Sequence, residues 1–558
     1  MRRTLATLVL LAGAAASGAG AQGTPLMPGV SYEKAVQFTP HGAVALHVLI
    51  APRPAGLWSL APVLAGGAVT GAPVRLTQLE AALSGQATVV GVNGDLTNAK
   101  GEPSGVFMTG GVLQHPPLGS RSSIGVAADG TLRVDRVKFF GTWKGTGQRR
   151  PLDGFDQSPG QGQVVLFTPA WGPRVPAVPG AAEAVLPSFP ATTPNADLTA
   201  AVGAVGVNGG EPIPPGGAVL QATGALAAKL QAEAPVGTPV TTRLILQPAW
   251  DGVVNALGGG PVLVRNGKPV FRSLEDFTSD QVTARTARAG VGQLADGRVV
   301  IVAVDGDQPG YSVGLTSFEL AQTLVRLGAV TASGLAPGGA VTVAFDGRLL
   351  NRPSGGERPV KEALLVQYAG VYAPDVSTPL LNGDPGRTEE QLSYKIVRPS
   401  TVTAQLVGPD GKPRVLEAAV HHDPGTYRFT YSSFDAEGAW RWNVAATDDL
   451  QRASTIDRAF RVDTTLRGVS VPAARGAATV RFTLSRAARV RLRIETKGGI
   501  VVRNLPAVAL PPGARSLTWD GRLPHGTRAY GGAYVARLYA ASEVGTAELA
   551  VPFAFRRG

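Results

Sequence analysis

The 558-residue sequence contains no cysteine, and that absence removes several chemistries together. No disulfide framework, thiolate metal site, iron–sulfur cluster or thiol nucleophile can be built from it. Histidine is scarce, with six in the whole chain and no His-Glu-x-x-His pair, which leaves little for a histidine-rich metal centre. Charged residues make up 16% and aromatic residues 6%. Beyond the N-terminal segment, no apolar run reaches the roughly 18 residues that a membrane-spanning helix needs. The chain is instead rich in glycine (72) and proline (44). Without a Gly-X-Y period, that excess reads as many turns between short strands. With 44% apolar residues, the chain can bury large cores, and its length corresponds to about three to four domains.

Residues 1–21 read as a secretory signal peptide. Arg2 and Arg3 form the basic start, Leu5 to Ala16 the apolar run, and Ala19-Gly20-Ala21 the small-residue cleavage site before Gln22. The expectation is an exported protein of the periplasm or cell surface without a transmembrane span. The net charge of +12 is unevenly placed. Residues 466–558 hold fifteen Lys/Arg against four Asp/Glu, while Gln22 to Thr465 is nearly neutral. Arg481 alternates with Val480, Phe482 and Leu484. Arg489, Arg491 and Arg493 alternate with Val490, Leu492 and Ile494, which sets three arginines on one exposed strand face. Such a face suits an anionic envelope polymer or a surface protein. No aromatic residues interleave for base stacking, so nucleic acid is not an expected partner.

Local patterns outline the domains. Val44, Leu46, Val48 and Ile50 alternate as a strand, and Thr88–Val92 is a short apolar strand running into Asn93-Gly94-Asp95. Val299–Val304 is a strand that ends at Asp305-Gly306. A helix is predicted over 317–327, with Thr316 as N-cap, Glu319 closing a capping box and Gly328 as the stop. Residues 31–370 read as one mixed α+β domain, and 371–388, rich in Pro, Asp, Gly and Ser, as a linker. Residues 389–465 and 466–558 read as two all-β, Ig-like sandwiches, the second of them basic. The fold class is therefore multidomain, a mixed α+β domain followed by two all-β sandwiches.

Five ordered motifs in 31–370 carry a resemblance. They are Asn93-Gly94-Asp95 with Gly101-Glu102-Pro103-Ser104-Gly105; Thr168-Pro169-Ala170-Trp171-Gly172; Gly258-Gly259-Gly260-Pro261-Val262; Val304-Asp305-Gly306 with Gly310-Tyr311-Ser312-Val313-Gly314; and Asn351-Arg352-Pro353 with Glu357-Arg358-Pro359-Val360. Together they resemble the phosphodiester glycosidase family. In the terminal module, Trp519-Asp520-Gly521 and Gly531-Gly532-Ala533-Tyr534 resemble the Ig-like domain of flagellar hook-capping proteins. The first resemblance implies hydrolysis of a sugar–phosphodiester linkage in an envelope glycan, with Asp95 and Asp305 as catalytic carboxylates. Asn93, Arg288, Glu102 and Arg358 are the implied substrate-binding residues, Arg288 contacting phosphate. Neither a cofactor nor a metal is implied. Such a reaction needs carboxylates to manage an oxocarbenium-like state and cations or N–H groups to hold phosphate.

The sequence also departs from the family. The family's Asn-Leu-Asp-Gly-Gly-Gly-Ser loop is Gly334-Leu335-Ala336-Pro337-Gly338-Gly339-Ala340, an expected arginine is Asp307, and an aromatic pair after the first motif is Leu96-Thr97. These losses define a second reading, a catalytically degenerate envelope scaffold that binds carbohydrate or an anionic polymer. Three other patterns carry less. Gly310–Gly314 fits Gly-x-Ser-x-Gly, but five residues separate it from the strand end, and the later histidines, His421, His422 and His525, all lie in the β modules. His421-His422, adjacent on a strand, point to opposite faces. Asp435, Glu437, Asp448 and Asp449 form at most a weak calcium pattern.

Overall fold

The structure is a computed structural model that describes residues 23–117, 119–472 and 474–557. The expected signal peptide, 1–21, lies outside the described residues. About half of the chain is strand and 7% is helix, so the chain is mostly β. The α-helices of the described residues are short and lie between Leu76 and Arg326. Two compact units divide the chain. The first holds the residues up to Val366, apart from Ala55–Ser59 and Glu80–Val89, which group with Gln367–Gly558 in the second.

In the first unit an antiparallel eight-stranded sheet runs in the order Thr24–Met27, Val30–Thr39, Gly42–Ala51, Val299–Val304, Arg288–Leu294, Ala329–Gly334, Val262–Arg265 and Lys268–Pro269. Val44, Leu46 and Val48 join Val300, Val302 and Val304 in one core with Leu320, Ala321 and Leu324 of the helix Ser317–Arg326. That helix forms as its sequence specifies. Thr316 Oγ1 accepts from Glu319 N at 3.2 Å, and Glu319 Oε2 accepts from Thr316 N at 2.8 Å. Gly328 follows with φ +92°, a conformation that glycine enters without steric cost. A five-stranded sheet places Thr88–Asn93 between Val343–Phe345 and Glu362–Tyr368.

The segment from Lys138 to Gln247 forms two further sheets whose core includes Trp143, Phe155, Leu166, Leu220 and Leu244 and is shared with Met108, Leu113 and Ala256 of neighbouring strands. The Thr168–Gly172 motif belongs to this insertion. There Thr168 donates from N (2.7 Å) and Oγ1 (2.6 Å) to the buried Asp156 carboxylate. The motif therefore holds the scaffold together.

In the second unit, a sheet of Leu380–Leu381, Ala453–Val462, Gly438–Asp448, Ser400–Val407 and Pro413–His422 faces the pair Glu390–Ile396 and Gly425–Tyr431. Trp440 and Trp442 are fully buried by the period-two alternation of their strand. The terminal sandwich packs a three-stranded sheet containing Ala478–Leu484 against a six-stranded sheet containing Ala488–Thr496. The stretch 371–388 is more than a linker. Leu380–Leu381 pairs in parallel with Arg461 and Val462, and Leu380 is buried in the core of the terminal sandwich. Its turn residues flank a two-residue apolar plug, and the sequence pattern showed only the turns.

Removing the helix cap should be felt without loss of the fold. Thr316→Ala is expected to lower the unfolding free energy by about 1 kcal/mol, read as a lower urea midpoint with unchanged slope.

Candidate active site

The strand Thr88–Asn93 delivers Asn93, Gly94 and Asp95 to one place, and each does something different there. Asn93 donates from Nδ2 to Ala336 O at 2.9 Å and accepts at Oδ1 from Thr342 N at 3.2 Å. Its amide thus shapes the 334–342 loop and has no face left for a ligand. Gly94 N donates to Glu362 O at 2.7 Å. A Cβ on Gly94 would sit 2.7 Å from that same oxygen, so only glycine allows the approach.

Asp95 is buried, and its Oδ1 is ion-paired with Arg121 Nη2. Its backbone N donates to Glu362 Oε1 at 3.1 Å. Asp95 Oδ2, Glu362 Oε2 and Arg121 Nε are buried without a hydrogen-bond partner. Oδ2 lies over bare backbone, because a Cβ on Gly258 would come within 2.3 Å of it and one on Gly105 within 2.9 Å. Burial raises the Asp95 carboxyl above its ordinary range, with Arg121 opposing. Burial, and then the charge of Asp95, raises Glu362 well above its ordinary range. Two carboxyls this close titrate as a unit. Arg121, paired with Asp95, favours the ionised form of Asp95 over that of Glu362.

Arg121 carries the pair outward. Its side chain is 14% exposed against 1% for Asp95. It also donates to Gly259 O at 3.0 Å, and its guanidinium lies 4.6 Å over the Phe277 ring. Phe277 lines a half-open cleft of about 900 Å³, together with Leu263, Phe271, Val282 and Phe318. Glu275 fixes the loop that carries Phe271 and Phe277 by accepting from Ser122 N (2.6 Å) and Val262 N (2.7 Å). The glycine-rich motif Gly258–Val262 thus lies between the carboxyl pair and an aromatic cleft.

Asp305 occupies a separate, closed centre. Asn351 Nδ2 donates to it at 2.9 Å, Tyr311 OH at 2.9 Å and Arg352 N at 3.2 Å, and His47 Nε2 lies 2.9 Å away. His47 Nδ1 in turn meets Tyr32 OH at 2.8 Å. Burial alone would raise the Asp305 pKa, but the bonds from His47, Asn351 and Tyr311 outweigh it and hold the carboxylate below its ordinary value. Burial and the bond to Asp305 push Tyr311 up to about 12. Asp305 is therefore a pinned anion that positions Tyr311 and the Asn351-Arg352 turn. Ser312 is closed as well: Oγ donates to Asp305 O and accepts from Ala45 N at 3.0 Å, which rules out the serine-elbow pattern.

Three substrate-binding expectations require correction. Arg288 is buried, donating to Leu315 O (3.1 Å), Gln281 O (2.5 Å) and Ala284 O (2.7 Å), and burial pulls its pKa down to about 10. Its guanidinium caps backbone carbonyls and has no donor aimed at a phosphate. Glu102 is tied to Ser158 and to Asn98 Nδ2, so it fastens a loop. Asn93 is the loop-shaping amide described above. Arg358 differs, being exposed, and its guanidinium packs on Gly339 so closely that a Cβ there would meet Cζ at 2.4 Å. The basic face also divides. Arg481 lies on the three-stranded sheet of the terminal sandwich, opposite the sheet of the other three. Arg493 pairs with Glu495 at 2.7 Å, and Arg491 covers the Tyr539 ring at 4.6 Å. The acidic residues of the first sandwich are matched by arginines: Asp435 by Arg414, Asp448 by Arg452, Asp449 by Arg398 and Glu437 by Arg486. Among the described residues, no group of three or more His, Asp or Glu is placed to hold a metal.

Sequence reasoning missed Arg121, Glu362 and the cleft aromatics. Glu362 stands two residues past Val360 of the last motif, which is the nearest signal to it. Nothing local marks Arg121.

Comparison with known proteins agrees with the motif reading. Residues 195–367 match the phosphodiester glycosidase family model, and 469–543 match the FlgD Ig-like domain. One curated relative, the SPbeta prophage-derived uncharacterized protein YomE of Bacillus subtilis (strain 168), is 31% identical over 118 residues, 21% of this chain and 18% of its own length. A hypothetical protein from Synechocystis has a similar structure, with TM-score 0.51 and 23% identity, over 61% of this chain and 62% of its own. The zebrafish N-acetylglucosamine-1-phosphodiester alpha-N-acetylglucosaminidase catalytic domain, auto-inhibited by its pro-peptide, aligns at TM-score 0.34 and 13% identity, over 62% of this chain and 83% of its own.

The raised pKa of Glu362 fixes a sign for stability. A carboxyl whose folded pKa lies above its unfolded value stabilises the fold fully below the unfolded value, about 4.3, and loses that contribution as pH rises through the folded value. Glu362→Gln is therefore expected to gain stability relative to wild type between pH 5 and pH 8. Parallel urea midpoints at the two pH values check this.

Proposed function

We propose that this chain is an exported hydrolase that cleaves a sugar–phosphodiester linkage in envelope glycans, with the sugar in the aromatic cleft and the phosphodiester at Arg121. The observation that carries the reading is the Asp95–Glu362–Arg121 trio beside the Gly258–Val262 motif, a protonatable carboxyl pair and a guanidinium where the cleft ends.

The bond broken is that between the anomeric carbon and the bridging oxygen of phosphate. Its electron pair leaves on that oxygen, and water supplies the new bond to carbon. The leaving group is a phosphate monoester with a second pKa of about 6. It departs as an anion without a strong general acid, so cationic stabilisation is the larger demand. Arg121 meets that demand at the cleft, and the exposed Arg358 beside Gly339 adds a second cation. The proton of the attacking water goes to the Asp95 carboxylate, the more ionised member of the pair. Glu362 holds the neighbouring proton and keeps the pair at one negative charge. Asp305 is assigned no contact with substrate, and it positions Tyr311 and Arg352 instead. Because an expelled phosphate asks little of an acid, the missing carboxylate at Ala336 and hydroxyl at Ala340 are compatible with turnover.

The test is hydrolysis of a panel of sugar phosphodiesters by the mature chain. Asp95→Asn is expected to lose about 10²–10⁴-fold in kcat, the range for removal of a positioned general base, and Arg121→Ala at least about 100-fold. The acid limb of the pH profile should lie above the ordinary carboxylate range. A folded wild-type chain that turns over no member of the panel would favour the scaffold reading.

A further inference from the structure

The second unit contains a cleft of about 710 Å³ at the join of its two sandwiches, lined in part by Arg387, Arg461, Arg537, Thr378, Thr546 and Ala550. Its arginines are each half-buried and held by a fixed contact, whereas Arg481, Arg489 and Arg491 of the outward strand faces are exposed. Arg387 Nη1 donates to Leu380 O at 3.2 Å, and Arg461 Nη1 donates to Val544 O at 3.0 Å. The two are brought together by the Leu380–Leu381 plug, in which Leu380 stands opposite Arg461 and Pro379 O accepts from Arg461 N at 2.9 Å. Gly545, at φ +144°, makes room for the second guanidinium, since a Cβ there would come within 2.2 Å of Arg461 Nη1. Arg537 is neutralised by Glu495 and Glu548. Neither Arg387 nor Arg461 has a carboxylate partner among the described residues.

We propose that this cleft binds an anionic group, phosphate or carboxylate, carried on an extended polymer, with Arg387 and Arg461 as its ligands. A guanidinium fixed by one N–H to a carbonyl keeps its remaining donors in a set plane, which suits bidentate binding of an oxyanion and lowers the entropy lost on binding. The outward arginines lack this preparation: Arg493 is paired and Arg491 rests on Tyr539. The hydroxyls of Thr378 and Thr546 can meet the sugar or polyol part of the chain. The opening admits a polymer, since Ala550 and Thr546 on its wall are exposed. The site is independent of the hydrolytic reading of the first unit.

Titration calorimetry of the full mature chain tests it, with poly(glycerol phosphate) oligomers in one arm and polygalacturonate oligomers in the other. Binding of either polymer is expected, weakening as salt rises. Arg387→Gln and Ala550→Glu should each raise Kd at least about tenfold, equivalent to about 1.4 kcal/mol. The Arg489→Gln/Arg491→Gln double variant should stay within about threefold, given how little exposed pairs contribute. Ala550→Glu alters an exposed strand position and leaves every arginine in place, so its effect is separable from misfolding. The arm that binds identifies phosphate or carboxylate as the anion. Binding of neither polymer, or wild-type affinity in both single variants, overturns the proposal.

Discussion

A carboxylate buried over bare backbone is the constraint around which the first unit is arranged. Asp95 projects from a strand end into a space where Gly105 and Gly258 have no side chain, and either one with a Cβ would collide with its Oδ2. Burying such a charge unpaired costs several kcal/mol, so it persists only with compensation. Arg121 supplies the opposite charge. Burial and the neighbouring charge of Asp95 push the Glu362 carboxyl well above its ordinary range. Gly105 and Gly258 thus permit one charge to be buried, and that charge fixes the position of a guanidinium at the edge of an aromatic cleft.

The second centre shows how similar residues can be spent differently. Asp305 also ends a strand, yet both of its oxygens are occupied, by partners drawn from three segments of the chain. Residues 342 and 343 connect the two centres. Thr342 N bonds to Asn93, and Val343 N bonds to Asn351 at 2.8 Å, which in turn holds Asp305. The degenerate loop 334–340 leads into this bridge with its geometry intact. Leu335 N, Ala336 N and Gly338 N donate to Ala289, Gly94 and Ala287 carbonyls at 2.8–3.0 Å. Where the loop differs from the family pattern is in its side chains, while its backbone makes these bonds.

How much of this was legible depended on range. The helix at Ser317–Arg326 was readable to within a residue because its signals, Thr316, Glu319 and Gly328, all lie within the segment itself. The strand Val299–Val304 was readable because it is short, apolar and bounded by a turn. The five motifs gave the order of the site segments and named Asp95. Other features arise from pairing distant parts of the chain. The resemblance implied Arg288 as a phosphate ligand, and only the fold sets the carbonyls of Gln281, Ala284 and Leu315 around its guanidinium. Arg121 meets Asp95 only through the fold, and Leu380 reads as part of a linker until Arg461 is set beside it. The arginines of the terminal module were visible as an alternation, but their division between two sheets and their pairing with Glu495 were not.

The account's central claim is that the trio serves cleavage of the bond between sugar carbon and phosphate oxygen. Hydrolysis of a sugar phosphodiester in ¹⁸O-labelled water, followed by mass analysis of both products, addresses it most directly. The account predicts label on the anomeric oxygen of the released sugar and none on phosphate. Label on the phosphate product would mean attack at phosphorus and would contradict it.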